Sequence, residues 1–170
     1  MMLKIAGAVL ILISSCLASY HLTKDMKDRK IELEQLKKMF EKMRVDALNN
    51  MNDISDCMQV SISELDFKTK PRFQNLLDKL KNAQYTNLFE PWQSTKTDMS
   101  PLKPKDEEII DSFFKDTQGF SVSTFVEKAE QTEEKIAQNL ENINENYEKN
   151  KKLYYNICVC TGILTIILLI

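Results

Sequence analysis

The sequence predicts an all-α protein: a helical bundle domain held between an N-terminal and a C-terminal transmembrane helix. Three observations carry this. Uncharged apolar segments stand at both ends of the 170 residues. The charged middle carries apolar residues at alternating steps of three and four, the spacing of one helix face. Only 3 Gly and 4 Pro occur in a chain rich in Glu, Lys, Gln, Asn, Leu and Met, which favours long helices over short strands.

The first apolar segment runs from Ile5 to Leu22 and the last from Leu153 to Ile170. Each has about the eighteen residues that a hydrocarbon core of about 30 Å requires. Tyr20, Tyr154 and Tyr155 stand where aromatic side chains favour the interface. The expected division is therefore a transmembrane helix over 1–22, a helical domain over 23–152 and a transmembrane helix over 153–170. Lys24, Lys27, Arg29 and Lys30 follow the first segment, and Lys149, Lys151 and Lys152 precede the second. Outside them stands only Lys4. Basic residues are retained on the cytoplasmic side, so the middle domain is expected there, in a two-pass cell-membrane protein. Three rival readings compete. Ala18 and its neighbours weakly imitate a secretory cleavage site. Ile13-Ser14-Ser15-Cys16 fits the pattern that precedes lipidation of a cysteine. The last segment could be a buried core helix, but it lacks a polar face.

Within the middle, Leu33, Leu36, Phe40, Met43, Ala47, Met51, Ile54 and Met58 form one stripe, with Lys30, Glu34, Lys37, Lys38, Glu41 and Lys42 opposite. The stripe suits a helix buried in its own domain better than a coiled coil with a partner. Pro71 marks a break after Lys-Thr-Lys, and Phe73, Leu76, Leu77 and Leu80 read as a short amphipathic helix. Leu88, Phe89 and Trp92 read as core anchors near Pro91, and 94–104 as a loop. Asp106, Glu107 and Glu108 suit a helix N-terminus, Ile109, Ile110, Phe113 and Phe114 supply its apolar side, and Gly119 suits its C-cap. Ser123 or Thr124 can cap a last long helix with the stripe Phe125, Ala129, Thr132, Ile136, Leu140, Ile143 and Tyr147. The two long helices should pack antiparallel, closed at the far end by the shorter ones.

No reactive constellation emerges, so no catalytic, cofactor-binding or metal-binding residue is expected, and no enzyme activity. His21 is the single histidine and lies at an apolar boundary, without the partners of a triad or metal cluster. Cys158 and Cys160 point to different faces of a helix and cannot clasp one metal; Cys16 lies in the first apolar segment and Cys57 stands alone. No phosphate-binding glycine loop occurs. With 23 basic and 25 acidic residues the net charge is −2, which gives no broad basic surface for nucleic acid. No small-molecule substrate is implied.

The chain opens on the run Met2 to Ile11, followed by Arg29, Leu33 and Leu36 in an Arg-x-x-x-Leu-x-x-Leu pattern. Trp92 stands mid-domain, and the run 108–114 is closed by Gly119. Lys152-Leu153-Tyr154, Gly162 and the terminal Ile-Ile-Leu-Leu-Ile end the chain. In this order these features resemble the start, basic helix, mid-domain tryptophan, short helix and close of the stage III sporulation protein AB family. The chain departs from the family where Asn49 to Cys57 replaces a Pro-Leu-x-Glu-Ala stretch, and where Val122 and Val126 replace polar residues.

The resemblance implies a role in endospore formation, in the mother-cell membrane facing the forespore. It implies a cytoplasmic domain similar to the platform domains of type II secretion and type IV pilus machines. The partners it implies are a secretion-type ATPase and membrane proteins of a channel complex. The residues alone leave two alternatives: a membrane-tethered regulatory helical bundle, or a lipoprotein anchored at Cys16. Gly7, Ser14, Ser15 and Ala18 offer a small-residue face for helix packing.

Overall fold

The computed structural model describes residues 2–50, 54–82, 87–96, 100–117 and 121–169, apart from some side chains of the two terminal apolar segments. Six helices follow one another: α1 (Met2–Asn50), α2 (Ile54–Ser63), α3 (Lys70–Asn82), α4 (Phe89–Gln93), α5 (Pro104–Asp116) and α6 (Val122–Leu169). No strand occurs among the described residues. The chain forms two compact units, one of residues 29–141 and one of residues 1–28 with 142–170.

In the unit of residues 29–141 the anticipated stripes are the core. Leu33, Leu36, Phe40, Met43 and Ala47 of α1 are buried, as are Phe125, Ala129, Thr132, Ile136 and Leu140 of α6. The first stripe is not one helix, however. α1 ends at Asn50, and Ile54 and Met58 belong to α2, where they are buried. Met51 lies outside the described residues. A periodicity of three and four steps is preserved across this helix junction, so it does not reveal the junction. Met39, not anticipated, is also fully buried.

The two long helices run antiparallel in this unit. Near one level Asp106 bonds both Arg29 of α1 and Asn139 of α6; further along α1, Arg44 Nε meets Glu133 Oε2 at 3.3 Å. α1 therefore advances as α6 returns. Aromatic rings tie the helices together. Phe40 of α1 lies 4.9 Å from Phe113 of α5, and Phe113 lies 5.7 Å from Phe125 of α6. Phe114 stacks on Trp92 of α4 at 4.4 Å, and Trp92 lies 5.0 Å from Phe73 of α3.

The helix ends bear out one expectation and correct two. Pro71 sits in the first turn of α3, where its missing N–H costs nothing, so it starts a helix. The start of α6 is served by Ser121, whose hydroxyl accepts from Thr124 N at 3.5 Å, rather than by Ser123 or Thr124. α5 ends on Thr117, whose N–H and hydroxyl both donate to the Phe113 carbonyl; Gly119 lies outside the described residues.

Cys57 is fully buried between α2 and the core. Burial, a hydrogen bond to Asp46 and that carboxylate's charge push its thiol up from 9.0 to about 12. The folded chain thus keeps the thiol proton to a higher pH than the unfolded chain. Its contribution to stability is complete below about pH 9 and falls as pH rises toward 12. Cys57→Ala should flatten the loss of stability in that window by up to about 1.4 kcal/mol per pH unit. Denaturant midpoints measured from pH 8 to 11 for both proteins test this.

In the other unit, residues of both apolar segments are helical. Among the described residues, no helix is long and apolar enough to cross a membrane. Large apolar side chains here nonetheless face outward: Leu10, Ile13 and Leu17 of α1, and Ile157, Leu164 and Ile167 of α6 are each more than half exposed.

Candidate functional site

Three polar hubs are built into the unit of residues 29–141. The first is Asp106 at the third position of α5. Pro104 opens that helix, and the Asp106 carboxylate turns back to accept from Lys103 N at 2.9 Å. The same carboxylate accepts Arg29 Nε at 2.6 Å and Nη2 at 2.8 Å, the paired geometry that guanidinium and carboxylate share. Asn139 Nδ2 donates to its other face. One buried carboxylate thereby locks α1, α5 and α6.

The second is Glu32, only 2 % exposed although it lies on a charged helix. Its Oε2 accepts Lys68 N at 2.8 Å; its Oε1 accepts Thr69 N at 2.7 Å and Thr69 Oγ1 at 2.5 Å. These are amides just ahead of α3, so a side chain of α1 caps a helix 36 residues away. Donors of a helix start favour a negative acceptor, which is why a buried carboxylate is tolerated there.

The third hub gathers Arg72, Trp92, Glu107, Asp111 and Lys96. The Arg72 guanidinium lies over the Trp92 ring, 3.6 Å from its centroid. Trp92 Nε1 donates to Asp111 Oδ1 at 2.6 Å. Arg72 stands 3.9 Å from Glu107 and 4.0 Å from Asp111, too far for hydrogen bonds, so its Nε and Nη2 have no acceptor. Burial pulls the Arg72 pKa below its ordinary value, and the charges of Glu107 and Asp111 oppose that pull. Lys96 Nζ reaches Glu107 at 3.3 Å. Beside this hub opens a recess of about 440 Å³, lined by Lys96, Ser100, Leu102, Pro104, Glu107, Glu108 and Asp111. The arrangement can position and recognise. It contains no activated nucleophile paired with a base.

Trp92 was legible as a core anchor and Asp106 as a helix start, but neither was recognisable as a hub. Glu107, also read as part of that helix start, has a side chain 15 % exposed and paired. Glu32, Arg72 and Asn139 went unmarked. A signal for two of them existed. Glu32 lies four residues before Leu36 and Asn139 three after Ile136, so each is a polar residue on an apolar stripe.

The remaining sequence features stay apart from these hubs. His21 is exposed, with its ring edge-on to Tyr20 at 6.1 Å. None of the four cysteines forms a disulfide; Cys16 and Cys160 are exposed and Cys158 is half-buried. No group of three His, Cys, Asp or Glu among the described residues could hold a metal ion. Added bulk at Gly7 would meet open space.

Compared with known proteins, the chain matches one family model, stage III sporulation protein AB, over residues 4–170. No curated protein matches it, and no solved structure matches it.

Proposed function

The chain belongs to the stage III sporulation protein AB family, a membership that supports a role in sporulation, and from that premise we propose that it is a non-catalytic membrane platform of the sporulation channel complex. In this reading the unit of residues 29–141 lies in the cytoplasm and docks a secretion-type ATPase. The two apolar ends hold the chain in the mother-cell membrane beside channel subunits.

The observation that carries the membrane part is the outward-facing apolar surface of one unit. Leu10, Ile13, Leu17, Ile157, Leu164 and Ile167 belong to two segments without a single charge. Water-exposed apolar surface of this extent is costly, and lipid removes the cost. Basic residues border both segments on the side of the folded unit. Arg29 contributes little to that border, since its side chain is 14 % exposed and bound to Asp106. The platform part is supported by three polar hubs that fix helices relative to one another, as a scaffold needs.

Topology is the test. Single reporter cysteines at Lys68 and Lys105, both exposed, replace the native cysteines in the full chain. A membrane-impermeant thiol reagent should leave both unlabelled in intact cells and label both once the membrane is opened. A secretion-type ATPase should then copurify with the detergent-extracted chain from sporulating cells. Labelling in intact cells would place the unit outside. It would favour a lipoprotein anchored at the exposed Cys16, whose acyl label would vanish on Cys16→Ala.

A further inference from the structure

The unit of residues 1–28 and 142–170 holds a cleft of about 560 Å³ between α1 and α6, lined by Cys16, Tyr20, Thr23, Glu148, Lys151, Lys152, Tyr155 and Asn156. We propose that this cleft binds one anionic glycerophospholipid, its phosphate between Lys151 and Lys152 and its acyl chains along the apolar surface below. The inference rests on the membrane reading above and names a ligand that reading does not.

Three features converge. The first is position: the cleft straddles the boundary between charged and apolar sequence on both helices. On one side stand Lys149, Lys151 and Lys152; on the other, Leu17 and Ile157 are more than half exposed. A molecule with one charged end and one apolar end is the shape that satisfies both. The second is charge. Two lysines face one glutamate, so the lining is net positive. Lys149 is engaged with Glu145 at 3.7 Å and is not part of the lining, whereas Lys152 has no ion-pair partner among the described residues. The third is the rest of the lining. Tyr20 and Tyr155 are more than half exposed, and their rings and hydroxyls suit the headgroup level. Glu148, Thr23 and Asn156 can accept from headgroup hydroxyls, which gives the one carboxylate a use beside a phosphate.

The cleft differs from a diffuse basic border, which attracts any anionic surface without a defined place. Lys24 and Lys27 provide the comparison. They lie at the same boundary, are exposed and do not line the cleft.

The test uses the full chain in detergent micelles with fluorescent phosphatidylglycerol or phosphatidylcholine as the probe. Wild type should prefer phosphatidylglycerol by on the order of tenfold, at about fivefold per juxtaposed lysine as an upper limit. Lys151→Gln with Lys152→Gln should abolish the preference, while Lys24→Gln with Lys27→Gln should keep it. Inorganic phosphate should not displace the lipid. Equal binding of the two lipids, equal loss in both double variants, or full displacement by phosphate would each overturn the proposal. Flotation with phosphatidylcholine vesicles reads the membrane proposal separately. A chain that floats but has no lipid preference loses the cleft and keeps the membrane. A chain that stays below the vesicles yet keeps its preference loses the membrane and keeps the cleft.

Discussion

Asp106→Ala should lower the stability of the unit of residues 29–141 by about 3–5 kcal/mol, the usual cost of removing one partner from a buried ion pair. The loss is large because four donors converge on one carboxylate. Arg29 Nε and Nη2, Asn139 Nδ2 and Lys103 N all give to Asp106, whose side chain is fully buried. Alanine leaves the Asn139 amide without an acceptor in the interior, and leaves Arg29 with most of its surface buried and no counter-charge. Each abandoned donor costs about 1–3 kcal/mol. α5 also loses the acceptor that closes its first turn. Asp106→Asn keeps the volume but presents an amide to donors, so it should recover little. Arg29→Gln added to Asp106→Asn should cost less than the two singles together, with a coupling of about 0.5–3 kcal/mol. Urea titration of the full chain in detergent, followed by fluorescence, measures all of this. Trp92 is the single tryptophan and is buried in this unit, so the signal reports on it alone.

The same hub explains how much of the fold the sequence made legible. Apolar periodicity identified both long helices and most of their buried residues, because a helix face facing a core must repeat every three to four residues. The aromatic positions Phe73, Trp92, Phe113 and Phe114 were legible for the same reason: large rings among charged residues have few places to go. What stayed hidden is pairing across the sequence. Arg29 and Asp106 lie 77 residues apart, and Glu32 and Thr69 lie 37 apart. Nothing local distinguishes Arg29 and Asp106 from solvated neighbours, and the place of Glu32 on an apolar stripe names no partner. Arg29 in particular reads equally well as a basic residue flanking an apolar segment, and only the fold assigns it to the core. The break between α1 and α2 was hidden for another reason. It falls after Asn49 and Asn50, the sequence there holds no glycine or proline, and the apolar spacing continues through it.

Trp92→Ala should cost about 3–5 kcal/mol, the range for deleting a buried large aromatic side chain. Trp92 is fully buried and joins two elements beyond its own short helix. Its ring stacks on Phe114 of α5, packs against Phe73 of α3 and supports the Arg72 guanidinium. α4 has five residues and carries Pro91, so it has little helical stability of its own. Removing its anchor should therefore free the segment around it, and protease should cut there before the rest of the unit unfolds. Circular dichroism must follow this variant, because the substitution removes the fluorophore. Trp92→Phe keeps an aromatic face for Arg72 but loses the bond from Nε1 to Asp111, and should cost about 1–3 kcal/mol. Arg72→Met separates the two contributions. It fills similar space, removes a buried cation whose Nε and Nη2 have no acceptor, and leaves Glu107 paired with Lys96 and Asp111 paired with Trp92. Replacing such a charge with an apolar side chain is often neutral or stabilising, by up to about 4 kcal/mol. If Arg72→Met is as stable as wild type while Trp92→Ala is not, the tryptophan holds this corner through its ring contacts. If both variants fail alike, the guanidinium over the ring is the contact that holds α3 to α4.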